Sequence, residues 1–185
     1  MGSEMCIRDS LYTAIFTDTG GFRFSNTTEA SLLYCCRLVK LGASPYEVAT
    51  HVYESYSPGR MRLLGLALNT LSMAAEGGVA WIVVTREMME ATGTGPEDTE
   101  EFVNFPKSIR GVEVALLFRE TESGVKVSFR SKGKVNVALI AASLGGGGHK
   151  AAAGCDMELP LEDAIKRVVP LVEETLACCT SSTFS

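Results

Sequence analysis

Four consecutive glycines, Gly145, Gly146, Gly147 and Gly148, run directly into His149, Lys150 and the small-residue stretch AAAG, and no other stretch constrains the chain as much. Glycine has no Cβ, so such a run can take φ > 0 and bring bare backbone N–H groups against a ligand, as in an anion-cradling nest. His149 adds a titratable ring and Lys150 a cation. Upstream, Arg130 and Ser131 close a β-patterned run with a planar guanidinium, the group suited to bidentate phosphate contacts. Together these residues point to a pocket for a phosphorylated ligand. A Gly/Ala run is equally compatible with a tight turn where backbones pack closely, and the glycines alone do not decide between the two.

The net charge of −5 argues against a surface built to coat nucleic acid, so any phosphate site must be a local pocket for a small ligand. No apolar run approaches the roughly 18–20 residues that span a bilayer. No secretory segment is visible, and the cytoplasm is the expected compartment. The six cysteines (Cys6, Cys35, Cys36, Cys155, Cys178, Cys179) form no C-x-x-C pair, and with only two histidines, His51 and His149, a Cys/His metal cluster is not expected. Reduced thiols fit that compartment. His51 is read as a helix surface or packing residue.

Residues 1–10 (MGSEMCIRDS) have no period that continues past residue 10 and are read as a non-native leader. Residues 11–17 (LYTAIFT) read as a short buried strand. That strand would place Asp18 at its carboxyl end, before a Gly-Gly turn that also offers Arg23, where open α/β sheets bind ligands. Helices are expected over 28–41, with Asn26 and Glu29 as a capping box, and over 45–56, with Pro45 at the first position. A strongly apolar helix over 60–76 suggests a connector between two lobes. Next come a strand at 79–85, short helical pieces near 86–91 and 98–103, and a hairpin of 112–121 and 125–131. The second arm of that hairpin alternates: Val125, Val127 and Phe129 on one face, Lys126, Ser128 and Arg130 on the other. A helix over 135–144 delivers the glycine run, a strand comes after Cys155, a terminal helix covers 161–176, and residues 180–185 should fray.

Taken together, TDTGGFRFSNTT, the connector helix, VSFRSKGKVNV and GGGGHKAAAGC resemble the DHH-family phosphoesterases with a C-terminal DHH-associated domain, in particular the small bacterial oligoribonucleases that also dephosphorylate adenosine 3′,5′-bisphosphate. The resemblance covers residues 11–176. It implies an α/β fold in pieces: the C-terminal part of a parallel-sheet catalytic domain (11–58), a connector (59–78), a smaller α/β DHH-associated domain with a mixed sheet (79–178), and a flexible tail (179–185). It also implies a hydrolase using two manganese ions held by aspartates and histidines. Asp18 matches the last of those metal-binding aspartates. Arg130 and Ser131 match the family's Arg-Ser phosphate contact, and Gly145 to Gly148 with His149 match its substrate loop. The partners implied are short single-stranded oligonucleotides or adenosine 3′,5′-bisphosphate.

The sequence departs from the pattern in one respect. It contains no Asp-His-His, and one carboxylate cannot hold two divalent ions. The expectation is therefore a fragment that lacks most of the metal ligands, is catalytically inactive, and still binds nucleotide. Missing upstream strands would expose sheet edges and an apolar helix face, which favours self-association, with a homodimer as one outcome. Three alternatives stay open: a cyclic-dinucleotide phosphodiesterase, a nucleotide- or nucleic-acid-binding DHH-associated module without catalysis, and a structural domain with a glycine-rich turn.

Overall fold

A computed structural model of the chain describes residues 7–181. The chain divides into two units, one running to Tyr56 and one starting at Ser57.

The regular elements among the first unit's described residues are all helices. Helix α1 (Ile7–Asp18) takes in the stretch expected to be a strand and also the last residues of the expected leader. The remainder of that leader, residues 1–6, lies outside the described residues. Seven apolar residues do not distinguish a strand from a helix by period, and here the helical spacing wins. Tyr12, Ile15 and Phe16 lie at i, i+3 and i+4 and pack with Cys35, Val48 and Val52. The threonines, which would favour a strand, are reconciled with the helix because Thr13 and Thr17 donate their hydroxyls to the carbonyls of Asp9 and Thr13, both at 2.8 Å. Helix α2 (Glu29–Lys40) is capped by Thr28 and Ser31 in a reciprocal box, not by Asn26 and Glu29. Helix α3 (Pro45–Tyr53) begins with Pro45 behind the N-cap Ser44, as its sequence indicates.

The second unit opens with α4 (Pro58–Asn69), shorter than the apolar pattern suggested. The chain then enters strand β1 (Ser72–Ala74) and a 3-10 turn at Ala75–Gly77. Strand β2 (Val79–Val84) is followed by α5 (Arg86–Thr92), a 3-10 turn at Pro96–Thr99 and α6 (Asn104–Ser108). The hairpin of β3 (Val114–Glu120) and β4 (Val125–Ser131) lies where the sequence placed it. Helix α7 (Val137–Ser143) leads to β5 (Gly147–His149) and β6 (Ala152–Met157), and α8 (Leu161–Ser181) closes the unit. Residues 180 and 181, expected to fray, belong to α8; residues 182–185 lie outside the described residues.

The six strands form one mixed sheet in the order β1-β2-β3-β4-β6-β5. Only β2 and β3 run parallel, joined by the crossover that carries α5 and α6. This is the mixed sheet of an α/β fold expected from the sequence. Strand alternation assigns each face a role. One face carries Val125, Val127 and Phe129 with Leu116, Phe118 and Cys155, sealed by α7 and α8. Phe118, Phe129 and Val127 are fully buried, each contributing about 1.5–3 kcal/mol. The opposite face is covered over β2 and β3, where Ile82, Val84, Ala115 and Leu117 pack with Leu63 and Ala67 of α4 and with Phe102. Over β4, β6 and β5 that second face carries Lys126, Ser128, Arg130, Ala152, Gly154 and Asp156, all partly or fully exposed.

Candidate functional site

The register across the open face aligns the residues singled out in the sequence. Arg130 stands opposite Ala115 on β3 and Ala152 on β6, and Ala152 stands opposite His149 on β5. Paired residues share a face, so Arg130 and His149 project to the same side with only an alanine between them. Two strand spacings put them about 10 Å apart at the backbone. The neighbouring row is Leu117, Ser128, Gly154 and Gly147, giving a floor of small side chains. Lys126, Ser128 and Arg130 line a concavity of about 460 Å³ together with Gly147, Gly148 and Gly154. Arg130 donates one N–H to the Phe129 carbonyl at 3.1 Å, and its other guanidinium donors have no partner among the described residues. A planar fork aimed over a small-residue floor is suited to a phosphate.

The glycine run is a β-arm, not a free nest. Gly145 (φ +83°) ends α7, and the N–H groups of Gly145 and Gly146 donate back to Ala142 and Ala141 at 3.1 and 2.8 Å. A Cβ on Gly146 would lie 2.1 Å from the Gly154 carbonyl oxygen, and one on Gly148 (φ +144°) 2.5 Å from Ala153 Cα. Gly147 differs: a Cβ there meets nothing within 4 Å. Close backbone packing therefore explains Gly146 and Gly148, and only Gly147 looks outward onto the open face. Beneath Gly146, burial first and Asp156 second push the Cys155 thiol up to about 11, with Arg167 opposing, so this sulfur packs as a neutral group. Lys150 sits in the two-residue turn between β5 and β6, outside the paired rows; its carbonyl accepts from Val137 N–H at 3.0 Å and ties the turn to α7.

Ser131 does not join Arg130. It follows the inward phase of β4, is buried, donates its hydroxyl to Glu113 Oε1 at 3.0 Å and accepts from Gly133 N–H at 2.9 Å. Glu113 Oε1 also accepts from Lys134 N–H at 2.8 Å, so one buried carboxylate gathers the end of β4 and the approach to α7. Glu113→Ala is expected to cost about 1–3 kcal/mol, because it strands the Ser131 hydroxyl and the Lys134 N–H. Urea unfolding would show it as a lower midpoint at constant slope; an unmoved midpoint would mean water replaces the carboxylate without loss.

Asp18 and Arg23 belong to the first unit. Asp18 is exposed at the end of α1, where its Oδ2 accepts from Asn26 Nδ2 at 3.0 Å. Arg23 Nε donates to the Gly20 carbonyl at 2.6 Å and its guanidinium lies 5.9 Å from the Tyr53 ring. Among the described residues no group of three or more His, Cys, Asp or Glu could hold a metal ion. A single carboxylate already bonded to an amide does not fit a two-manganese centre.

The strand period puts Lys126 and Ser128 on the face of Arg130 without assigning them to the site. Two further features have no counterpart in the sequence reading: Arg119 beside Lys126, and the wall formed by residues 96–101. Arg60 holds that wall, donating to the Asp98 and Glu100 carbonyls at 2.7 and 2.6 Å while lying 5.2 Å from the Phe102 ring. Lys126 was visible in the period of the strand; the wall depends on the crossover and has no local signal.

The DHHA1 domain model matches residues 78–177, more than half of the chain, and spans the whole sheet from β2 onward. The chain belongs to the DHHA1 family. It is 37% identical over 171 residues to the bifunctional oligoribonuclease and PAP phosphatase NrnA of Thermus thermophilus, covering 92% of this chain and 51% of that protein. To the Bacillus subtilis protein of the same name it is 31% identical, over 80% of this chain and 46% of the relative. An exopolyphosphatase-related protein from Bacteroides fragilis superposes with a TM-score of 0.85 at 32% identity, covering 90% of this chain and 49% of that one. The chain thus spans about half the length of the relatives it matches, and the expected likeness to DHH-family proteins of the NrnA type holds. Within the DHHA1 region lie Arg130, His149 and all four glycines of the run. No helix among the described residues is long and apolar enough to cross a membrane.

Proposed function

We propose that the DHHA1 region binds the phosphates of short adenylate nucleotides, as the recognition half of a phosphoesterase acting on short oligonucleotides, adenosine 3′,5′-bisphosphate, or both. The observation that carries this reading is the row Arg130, Ala152, His149, which sets a guanidinium and an imidazole on the same side of the sheet with one alanine between them. The names of the Thermus and Bacillus relatives point to the same substrates. In this reading Arg130 holds the phosphate, His149 donates to it or contacts a base, and the open face at Gly147 lets the nucleotide lie flat. A cytoplasmic location and self-association into a homodimer belong to the same reading.

Hydrolysis needs more than this face. The proposed manganese centre requires a donor set that the described residues do not contain, and no step is assigned to Asp18. The chain is expected to bind nucleotide without turning it over, which favours the binding-module alternative for this chain taken by itself. Calorimetric titration with the dinucleotide pApA, with and without manganese, tests the reading. Binding is expected to be the same in both titrations. Chromatography of the mixtures should show intact dinucleotide, and manganese-dependent release of AMP would overturn the inactive assignment. A folded chain that ignores pApA would remove the phosphate face altogether.

A further inference from the structure

Two cations share the open face beyond the row of Arg130 and His149. Arg119 on β3 stands directly opposite Lys126 on β4, a pairing that sets their Cβ atoms about 5 Å apart. Like charges so placed destabilise the ladder unless something neutralises them. Neither side chain makes a hydrogen bond or ion pair among the described residues. Of the neighbouring carboxylates, Glu120 Oε2 accepts from Arg86 N–H at 3.0 Å and Glu101 accepts from Asn104, while the Glu97 carboxylate lies beside Gly95 and lines the same concavity as the two cations. On the β6 side Asp156 stands directly opposite Lys126, as Arg119 does on β3, and offsets part of that repulsion without forming an ion pair, and Glu100 stands on the far wall. Arg119, Lys126 and Arg130 line one concavity of about 450 Å³, closed on that side by the segment Arg60 holds.

We propose that Arg119 and Lys126 form a second phosphate subsite, so that the face takes a single-stranded oligonucleotide running along β4 from Arg130 toward Arg119. The inference rests on the reading of Arg130 as a phosphate contact. Lys126 and Arg130 are four residues apart, about 13 Å along the strand, a span that one phosphate group does not bridge. Asp156 on the β6 side repels a backbone there, which directs the strand toward β3. Both cations meet phosphate and not base edges, so the subsite reads length and not sequence.

The test compares adenosine 5′-monophosphate with the tetranucleotide pApApApA, by calorimetry at several salt concentrations, for the wild-type chain, Lys126→Gln and Arg119→Gln. Each substitution is expected to lower the ratio of tetranucleotide to monophosphate affinity about tenfold, the scale of one charge-assisted contact. The slope of log affinity against log salt for the tetranucleotide should fall by about 0.7 per contact. Equal losses for both probes, or an unchanged ratio, would overturn the subsite while leaving the Arg130 site standing. Failure of the folded wild-type chain to bind either probe would overturn both readings together.

Discussion

Arg130→Ala is expected to weaken pApA binding by about tenfold to 150-fold, the equivalent of roughly 1.5–3 kcal/mol, with unchanged thermal stability. The two expectations separate because of where the side chain lies. Arg130 occupies the outward phase of β4, makes a single hydrogen bond to its neighbour's carbonyl, and supports none of the core that Val127 and Phe129 build on the other face. Surface substitutions of that kind stay within about 0.5 kcal/mol. Arg130→Lys keeps the charge but loses the planar fork, so it should fall between wild type and alanine. Calorimetry beside a melting curve checks both halves. A lysine variant that binds like wild type would reduce Arg130 to a point charge. A variant that melts early would give the residue a structural task that its contacts do not show.

The glycine run offers a second large effect, split between positions that look alike in sequence. Gly146→Ala and Gly148→Ala should each destabilise the chain by about 1–3 kcal/mol or more. In both, the new methyl group meets backbone: the Gly154 carbonyl in one case, Ala153 Cα in the other. Flexible side chains could yield; a hairpin ladder cannot without moving β5 off β6. At Gly147 nothing lies within 4 Å, so Gly147→Ala should unfold like wild type. Its methyl, however, rises on the row of Ser128 and Gly154, and nucleotide affinity should drop. Urea unfolding and pApA titration of the three variants give the pattern. A stability loss at Gly147 equal to that at Gly146 would show that the ladder, and not the ligand, demands all of them.

Much of this site was legible in the amino-acid pattern alone. The alternation VKVSFRS places Arg130 outward, and the same period continued one residue further puts Ser131 inward with Val125, Val127 and Phe129. The motif names Arg130 and Ser131 together, while the strand period sets them on opposite faces, with Ser131 bonded to Glu113. The strand at 11–17 failed for a different reason: an apolar run of that length carries no period of its own, and contacts with α2 and α3 decided its conformation. The role of the glycines was ambiguous because nest and hairpin make the same demand for missing Cβ atoms. Only the partner strand β6 separates them, and it begins at Ala152, earlier than the sequence suggested. Arg119 could be placed beside Lys126 only once the hairpin register was known.

The sheet ends on both sides in a three-residue strand, β1 at one margin and β5 at the other, while its interior strands run to six or seven residues. A second copy approaching either margin could add only a few main-chain hydrogen bonds before the ladder ran out. Fibre-like stacking and strand exchange through this sheet are therefore disfavoured by length alone, without charged or proline gatekeepers. Concentration-dependent assembly of the chain would have to draw on side-chain surfaces, and it should leave the amide-exchange rates of β1 and β5 unchanged.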